Sequence, residues 1–265
     1  MAAGRRRRLA RRARFAAAAS AGTLSFGRPI HRYQRLESTQ IVARQLAEQG
    51  APEGTVVLAG EQTGGRGRLG REFFSPPGGL YVSILLRPPF APARAPLIGV
   101  AAGLALAEAI QGLAGLRPVL KWPNDLLLGG RKISGLLIDL PAGSAVLGIG
   151  VNVNIPTAAL PVELRASATS LLHELGHELD LESLLDALLL RFEARYVELC
   201  SAGPEPLLAA WRAAPNLLGQ RVRVAAPAEV LEGIAHDLDV DGALLLRLPS
   251  GEFRRVIAAD VHLLQ

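Results

Sequence analysis

The sequence contains only two lysines, and both lie within a stretch of twelve residues. Lys121 belongs to Lys121-Trp-Pro-Asn-Asp125 and Lys132 to Arg131-Lys-Ile-Ser-Gly135, whereas the other 27 of the 29 basic residues are arginine. A site shaped for one phosphate or carboxylate oxygen accepts a compact ammonium group and rejects the broad, planar guanidinium group. The two lysines therefore indicate an anion-binding centre, unless two surviving lysines lie close together by chance.

A segment rich in glycine and arginine, Gln62-Thr-Gly-Gly-Arg-Gly-Arg-Leu-Gly-Arg71, is a second candidate for anion binding. Glycines let backbone N–H groups approach an anion, and arginines supply paired donors to its oxygens. The glycines match the dinucleotide-binding pattern, but Phe73-Phe-Ser-Pro-Pro77 follows where that motif requires a helix. Arg71-Glu72 also replaces the Lys-[Ser/Thr] pair of an ATP-binding P-loop. We therefore predict a phosphate-binding loop of another kind, the alternative being a solvated loop without a ligand.

The composition favours one sizeable domain and a small one, because 265 residues with 49% hydrophobic content can bury a large core. The single cysteine, Cys200, excludes an internal disulfide and is typical of a reducing compartment, so we predict a cytoplasmic protein. The longest apolar stretch, residues 97–110, is interrupted by Glu108 and is too short to span a bilayer. We expect a buried helix there and no membrane partner.

Charge is distributed unevenly along the chain. Residues 1–28 contain eight arginines, no lysine and no acidic residue, and without them the net charge of +5 becomes −3. The body of the chain is therefore not expected to bind nucleic acid. We interpret residues 1–28 as a disordered Arg/Ala-rich tail outside the fold. A dispensable or mis-assigned extension is the first explanation, and a transit peptide or a polyanion-binding arm are the alternatives.

Strand and helix patterns alternate from Ile30 onwards. Helices are predicted from a cap at Ser38-Thr39 to about Gln49, over residues 96–112 with an end at Gly112, and near residues 170–175, 181–200 and 204–213. Strands are predicted at residues 56–59, 80–86, 119–121, 135–140 and 145–153. We therefore predict an α/β (α+β) fold in which a mixed central sheet is flanked by helices over residues 29–215.

The pattern changes after Pro215, which predicts a second domain over residues 216–265. Arg221-Val-Arg-Val224 alternates with period two, and Asp239-Val-Asp-Gly242 and Pro249-Ser-Gly251 are typical of turns. Short strands between such turns favour a small SH3-like β-barrel.

Taken together, these segments resemble the signatures of the biotin protein ligase family. The signatures include a Gly-Arg-Gly-Arg-x-Gly loop, a Lys-Trp-Pro-Asn-Asp segment and an Arg-Lys-[Ile/Leu]-x-Gly segment, and Gly148-Ile-Gly-Val-Asn152 fits as well. The resemblance implies a class II synthetase-like catalytic fold that uses biotin, ATP and Mg²⁺ to make biotinyl-5'-AMP. It also implies transfer of biotin to a lysine of a biotin carboxyl carrier protein, and it leaves a homodimer open.

The resemblance further implies roles for individual residues. Lys132, Lys121 and Arg66 would neutralise charge while the adenylate forms, and Asp125 would accept the proton that the acceptor lysine must lose. The residues expected to bind biotin are Ser38, Thr39, Gln40, Gln62, Arg66, Gly67, Arg68, Lys132 and Gly135. Those expected to bind ATP or the adenylate are Arg66, Arg68, Phe73, Lys121, Asn124 and Asn152, with Mg²⁺ carried by ATP and not by a cluster of protein ligands. Relatives often have asparagine in place of Gln40 and tryptophan in place of Phe73.

Four other functions are weighed against this one. His173-Glu-Leu-Gly-His177 matches the H-E-x-x-H signature of zinc peptidases, although Gly176 is placed to end a helix between the two histidines. Lipoate or octanoate ligation or transfer by a related fold is the nearest enzymatic alternative. A repressor is disfavoured, because the roughly thirty residues ahead of the core lack two apolar-periodic helices. The chain is also not expected to be the biotin carrier, since both lysines are assigned to the active centre.

Overall fold

The computed structural model describes residues 26–141, 143–225, 229–257 and 259–264. The predicted tail lies outside the described residues except for residues 26–28. Phe26 is buried in the main hydrophobic core, so the prediction that the tail extends to residue 28 is wrong at that position. Within the described ranges, two β-sheets and five α-helices form the fold.

The larger sheet has seven strands. In chain order they are β1 (Ile30–Leu36), β2 (Val56–Gln62), β3 (Leu80–Leu86), β4 (Val119–Lys121), β5 (Asp125–Leu128), β6 (Arg131–Asp139) and β7 (Ala145–Val151). Across the sheet the order is β1-β2-β3-β7-β6-β5-β4. Strands β1 and β2 are parallel and every other neighbouring pair is antiparallel, so the predicted mixed sheet is confirmed.

Helices cover both faces of this sheet. They are α1 (Thr39–Glu48), α2 (Pro96–Ala114), α3 (Leu171–Leu175), α4 (Leu181–Ala202) and α5 (Glu205–Ala213). On one face, α1 crosses between the parallel strands and packs its Ala43 with Val57 and Val146. On the other face, the alternate strand residues pack with α2, α4 and α5 in the main core.

Helix α2 and the turn before it, Pro92–Ala114, are long and apolar enough by composition to cross a membrane. In the fold, 67% of the most apolar window of this stretch is buried. The predicted buried helix is therefore confirmed, and its all-round apolar surface is explained by packing between the sheet and α4.

The smaller sheet is antiparallel and contains β8 (Arg221–Ala225), β9 (Val230–Leu238), β10 (Leu244–Arg247), β11 (Phe253–Val256) and β12 (Asp260–Leu263), in the order β11-β10-β9-β8-β12. Three residues connect the two edge strands β11 and β12. They span at most about 14 Å, whereas the edges of five flat strands would lie about 19 Å apart. The sheet must therefore curl, as predicted for an SH3-like module, but among the described residues its edges are not hydrogen-bonded into a closed barrel.

The two sheets share one continuous hydrophobic core. Trp122, Leu217, Val222 and Val261 belong to the same buried cluster as the core of the larger sheet. In addition, Trp122 Nε1 donates a hydrogen bond to the carbonyl of Gly242 at 3.0 Å. The predicted domain limits at residues 28/29 and 215/216 remain a prediction.

Three details of the secondary structure differ from the prediction. Helix α2 passes Gly112 and ends at Gly115, whose left-handed φ of 68° is the conformation that a helix-terminating glycine adopts. Strand β5 was not predicted, although it pairs with both β4 and β6. Strand β6 begins at Arg131, so that Lys132 lies within a strand and not in the loop before it.

Candidate active site

Lys132 is held in place by its backbone as well as by its side chain. Its N–H donates to the carbonyl of Ser167 at 2.8 Å, and its carbonyl accepts from the N–H of Thr169 at 2.9 Å. Its Nζ lies 2.6 Å from Asp125 Oδ1 in an ion pair. That oxygen is buried, and the described residues give it no further, well-directed hydrogen bond. The ammonium group is therefore fixed in position beside a carboxylate that has spare accepting capacity.

Lys121 and Asp125 face each other across the β4–β5 hairpin, where their Cα atoms are paired in register. Asp125 on β5 therefore lies between the strand that carries Lys121, β4, and the strand that carries Lys132, β6. Lys121 forms no ion pair within the described ranges, and it points into a hollow that Lys132 and Asn152 also line. Strands β4, β5 and β6 are consecutive in the chain and adjacent in the sheet, which is why Lys121 and Lys132 are close in both.

The arginine-rich loop lines the same cavity as Lys132. Arg68 Nη1 donates to Asn124 Oδ1 at 3.2 Å and to the carbonyl of Ala259 at 3.4 Å. Burial lowers the pKa of Arg68, because the charged guanidinium is removed from water. Arg66 is 47% exposed, and its Nη2 lies 3.9 Å from Glu37 Oε1. One arginine is thus packed into the cavity while the other remains at its mouth.

A network of small polar side chains forms the inner end of the cavity. Gln62 Oε1 accepts hydrogen bonds from the Thr39 N–H at 2.8 Å and from the Thr39 hydroxyl at 3.1 Å. The Ser83 hydroxyl lies 2.8 Å from both Thr39 Oγ1 and Gln40 Oε1. A Cβ on Gly148 would come within 3.0 Å of the Gln40 amide. The network is buried yet offers both donors and acceptors, which suits a small polar ring.

Phe73 lies directly on the backbone of the sheet. A Cβ added to Gly150 would come within 2.5 Å of the Phe73 ring, and one added to Gly135 would come within 3.1 Å of both this ring and Lys132 Nζ. The ammonium nitrogen is 5.8 Å from the ring centroid. The two glycines therefore provide the room in which the aromatic ring and the lysine lie side by side.

Two adjoining cavities meet at this point. The predicted residues that line the first are Thr39, Gln40, Gln62, Arg66, Gly67, Arg68, Phe73, Asn124, Asp125, Lys132 and Gly135. Those that line the second are Phe73, Lys121, Asp125, Lys132 and Asn152. Phe73, Asp125 and Lys132 are shared, so they form the partition between the cavities. The loop arginines and Lys132 line the first cavity, and Lys121 lines the adjoining one. The roles of these residues stay a prediction.

Ser38 is the one predicted residue that lines neither cavity. It occupies the position before α1, but its hydroxyl makes no capping bond and has no hydrogen-bond partner among the described residues. The side chain of Gln62 receives the Thr39 N–H instead. The predicted capping contact is therefore wrong, because a neighbouring strand supplies the acceptor.

Several lining residues escaped the sequence analysis. Asp260 and His262, which line the first and the second cavity, come from the smaller sheet. Ser83 lines neither cavity but hydrogen-bonds Thr39 and Gln40, and it lies in a strand that reads as purely structural. Glu72 was noted only as part of the Arg71-Glu72 pair that stands in place of the P-loop Lys-[Ser/Thr] pair. For Ser83, a hydroxyl within the apolar run of β3 was the available signal. Nothing local in the sequence marks Asp260 or His262.

The H-E-x-x-H segment is divided between two elements. His173 lies in α3, Gly176 ends that helix with a φ of 76°, and His177 lies beyond it. Glu174 accepts hydrogen bonds from Arg131 at 2.7 Å and from the Thr169 hydroxyl at 2.6 Å. The glutamate thus positions the segments on either side of Lys132, and the histidines do not share a helix face.

Known proteins with similar sequences match along most of this chain. The biotin--[acetyl-CoA-carboxylase] ligase of Paracoccus denitrificans is 36% identical over 234 residues, which cover 85% of this chain and 96% of the relative. The chain belongs to the biotin protein ligase family. The bifunctional ligase/repressor BirA of Bacillus subtilis is also 36% identical over 234 residues, covering 86% of this chain and 72% of that protein.

Family models and solved structures agree with this assignment. The model described as the biotin/lipoate A/B protein ligase family matches residues 33–155, and that of the biotin protein ligase C-terminal domain matches residues 217–264. The structure of the biotin protein ligase from Aquifex aeolicus in complex with biotin and ATP superposes with a TM-score of 0.78 at 28% identity, covering 89% of this chain and 98% of that one. The predicted family and fold class are confirmed.

Proposed function

We propose that this protein is an ATP-dependent biotin–protein ligase. It joins biotin to ATP to form biotinyl-5'-AMP and pyrophosphate, and then transfers the biotinyl group to a lysine of a biotin carboxyl carrier protein. The observation that carries the proposal is the convergence of Arg66 and Arg68 with Lys132 on one cavity. Adenylate formation brings a carboxylate to the α-phosphate of a polyanion, so fixed cations must offset the repulsion.

Biotin binds with its ring at the inner end of the first cavity. The cyclic urea has two N–H donors and one carbonyl acceptor, and Thr39, Gln40 and Gln62 provide the complementary groups. The carboxylate end then points towards Lys132 at the partition. Gly135 leaves the space that this approach requires.

The nucleotide occupies the second cavity and extends to the partition. Lys121 and Asn152 line this cavity with donors for the phosphates and the ribose, and Phe73 offers an aromatic surface to the base. Arg66 and Arg68 close over the phosphates from the loop. ATP enters as its Mg²⁺ complex, because Mg²⁺ binds largely through substrate phosphates and one or two protein oxygens.

In the first step, a biotin carboxylate oxygen attacks the α-phosphorus, and the bond to the β-phosphate oxygen breaks. The ammonium group of Lys132 leaves Asp125 and contacts the reacting carboxylate and phosphate oxygens instead. In the second step, the acceptor amine attacks the carbonyl carbon, AMP departs with the bonding electron pair, and the amine loses a proton. Asp125, released from its ion pair, is positioned to accept that proton.

The acceptor is a separate protein, because both lysines of the chain line the cavities and neither is displayed on an exposed hairpin. A cytoplasmic location is proposed from the single, buried Cys200. The net charge of −3 outside residues 1–28 supports a body that does not bind nucleic acid. A homodimer stays a prediction.

A test is to incubate the protein with MgATP, biotin and a biotin carboxyl carrier domain while following pyrophosphate release and carrier mass. We expect biotin-dependent pyrophosphate and a carrier whose mass rises by one biotinyl group. Lipoate or octanoate is added in place of biotin as the control. Pyrophosphate release with lipoate and none with biotin would favour the alternative acyl substrate and refute the proposal.

A further inference from the structure

Glu72 is a carboxylate in a site built for anions. It lines both cavities, at the end of the loop that carries Arg66 and Arg68. Its side chain is exposed to solvent, and within the described ranges it forms neither an ion pair nor a side-chain hydrogen bond. Arg66 lies opposite Glu72 in an isolated β-bridge without forming an ion pair with it. A carboxylate that no cation binds directly opposes the approach of the triphosphate of ATP, so it hinders the first step of the reaction.

The other carboxylates around the cavity are already paired. Asp125 is bound to Lys132 at 2.6 Å, and Asp260 is bound to Arg71. Glu72 therefore differs from both, since it faces the reaction centre with its charge free. Glu72 opposes the binding of ATP, and its presence in the site is explained if it assists the binding of the second substrate.

We infer that Glu72 binds the ammonium group of the acceptor lysine. This inference rests on the proposed function, in which the second substrate is a cation while biotin and ATP are anions. After pyrophosphate has left, the cavity holds one phosphate instead of three, and a free carboxylate at its mouth attracts the incoming ammonium group. Glu72 holds the lysine beside the partition, and Asp125 receives the proton there.

The test uses Glu72→Gln in the full chain, which removes the charge and keeps the shape. We expect the KM for the carrier domain to rise about threefold to tenfold, because one charge-assisted contact is lost. The KM for ATP should fall about twofold to fourfold, because one partly screened repulsion is removed. The turnover number of the transfer step should change little. Glu72→Asp should recover most of the carrier binding.

Two controls separate this effect from a general change in charge or folding. Glu163→Gln removes an exposed carboxylate that lines neither cavity, and it should leave both KM values unchanged. Hydroxylamine, an amine that is largely uncharged at neutral pH, should capture the biotinyl group from the adenylate at the same rate in the wild type and in Glu72→Gln.

The outcomes are distinct. Equal carrier KM values for the wild type and Glu72→Gln would overturn the inference, as would a fall in the turnover number at an unchanged KM, which would make Glu72 a proton acceptor. Slower capture by hydroxylamine would also overturn it, since the lesion would then lie in the adenylate site. If the wild type itself releases no pyrophosphate with biotin, the proposed function fails instead.

Discussion

The two walls of the active cavity are built in different ways. On the sheet side, Lys132 is bonded through its backbone on both sides, its side chain is only 35% exposed, and Asp125 beside it is 16% exposed. On the loop side, Arg66 is 47% exposed and Arg71 is 65% exposed. The sheet therefore fixes the lysine before any substrate arrives, whereas most of the loop's charge still lies in solvent.

This difference assigns different tasks to the two kinds of cation. A group that must meet a developing charge precisely is best held by a rigid element, because little reorganisation remains to be done during the reaction. A group that must cover a bound nucleotide has to leave room for its entry. The lysines and the arginines are thus not interchangeable, in position or in chemistry.

We call the sheet side of the cavity, which holds Lys132 and Asp125, the rigid wall, and the loop side, which carries Arg66 and Arg71, the open wall. The strongest test of the rigid wall is the substitution Lys132→Arg. The substitution keeps the charge, but the broader guanidinium must fit where a Cβ on Gly135 would already lie 3.1 Å from Nζ. We expect biotin-dependent pyrophosphate release to slow by about a hundredfold or more, as when a transition-state donor is lost. Arg66→Lys, on the open wall, is the matched exchange and should cost much less. Wild-type rates in Lys132→Arg would disprove the geometric argument.

On the loop side, the largest effect is expected where the loop is anchored. A Cβ at Gly65 would come within 2.5 Å of Ser75 Oγ and closer still to the Phe73 carbonyl, whereas one at Gly67 would lie 3.3 Å from its nearest neighbour. Gly65→Ala should therefore displace Phe73 and slow adenylate formation about tenfold or more, since overpacking costs about 1–3 kcal/mol. Gly67→Ala should stay within a few-fold of the wild type. Similar rates for both variants in the pyrophosphate assay would contradict this anchoring.

Much of the site could be predicted because its chemistry is concentrated in residue types. Two lysines in an arginine-rich chain, and four glycines in one short loop, are visible without any structure. Strands β3 and β4 were predicted with the observed limits, because short, mainly apolar runs between turn residues leave little choice. The family resemblance then supplied roles that composition alone cannot give.

The remaining features depend on contacts between distant segments. Asp260 reaches Arg71 across 189 positions of sequence, and no local pattern records such a meeting. The capping contact at Ser38 was wrong for the same reason, because the acceptor comes from Gln62 on another strand. Strand β5 was missed because it is only four residues long, and its pairing on both sides with neighbouring strands cannot be read from so short a run.

The rigid wall also depends on a turn in the smaller sheet. Asp239 accepts the N–H groups of Asp241 and Ala243, each at 2.9 Å, and pairs with Arg255. This turn presents the Gly242 carbonyl to Trp122, next to Lys121. Partial burial alone would raise the pKa of Asp239, but the hydrogen bonds from Arg255 and from the two N–H groups outweigh it and lower the pKa.

A carboxyl group whose pKa is lowered by folding stabilises the folded protein at pH values above its ordinary pKa. This stabilisation is lost as the pH falls through the lowered pKa. The wild type should therefore lose free energy of unfolding on acidification below about pH 4. Asp239→Asn should cost about 1 kcal/mol at pH 7 and less in acid, because only the ionised form is favoured. Urea unfolding followed by tryptophan fluorescence measures the free energy of unfolding of the wild type and of Asp239→Asn at each pH. Equal differences at pH 7 and pH 3 would rule out this carboxylate as the cause.

The smallest effect is expected for the contact between the loop and the smaller sheet. Arg71 pairs with Asp260, but its side chain is 65% exposed, so the pair is screened by solvent and contributes about 1 kcal/mol or less. Arg71→Ala should raise the KM for ATP about twofold to threefold and leave the melting temperature unchanged. Asp260→Ala should have the same effect, and the double variant should be no worse than either single one if the two act only as a pair. Additive losses would mean that each residue contacts the nucleotide independently, and the open wall would then have no anchor at this end.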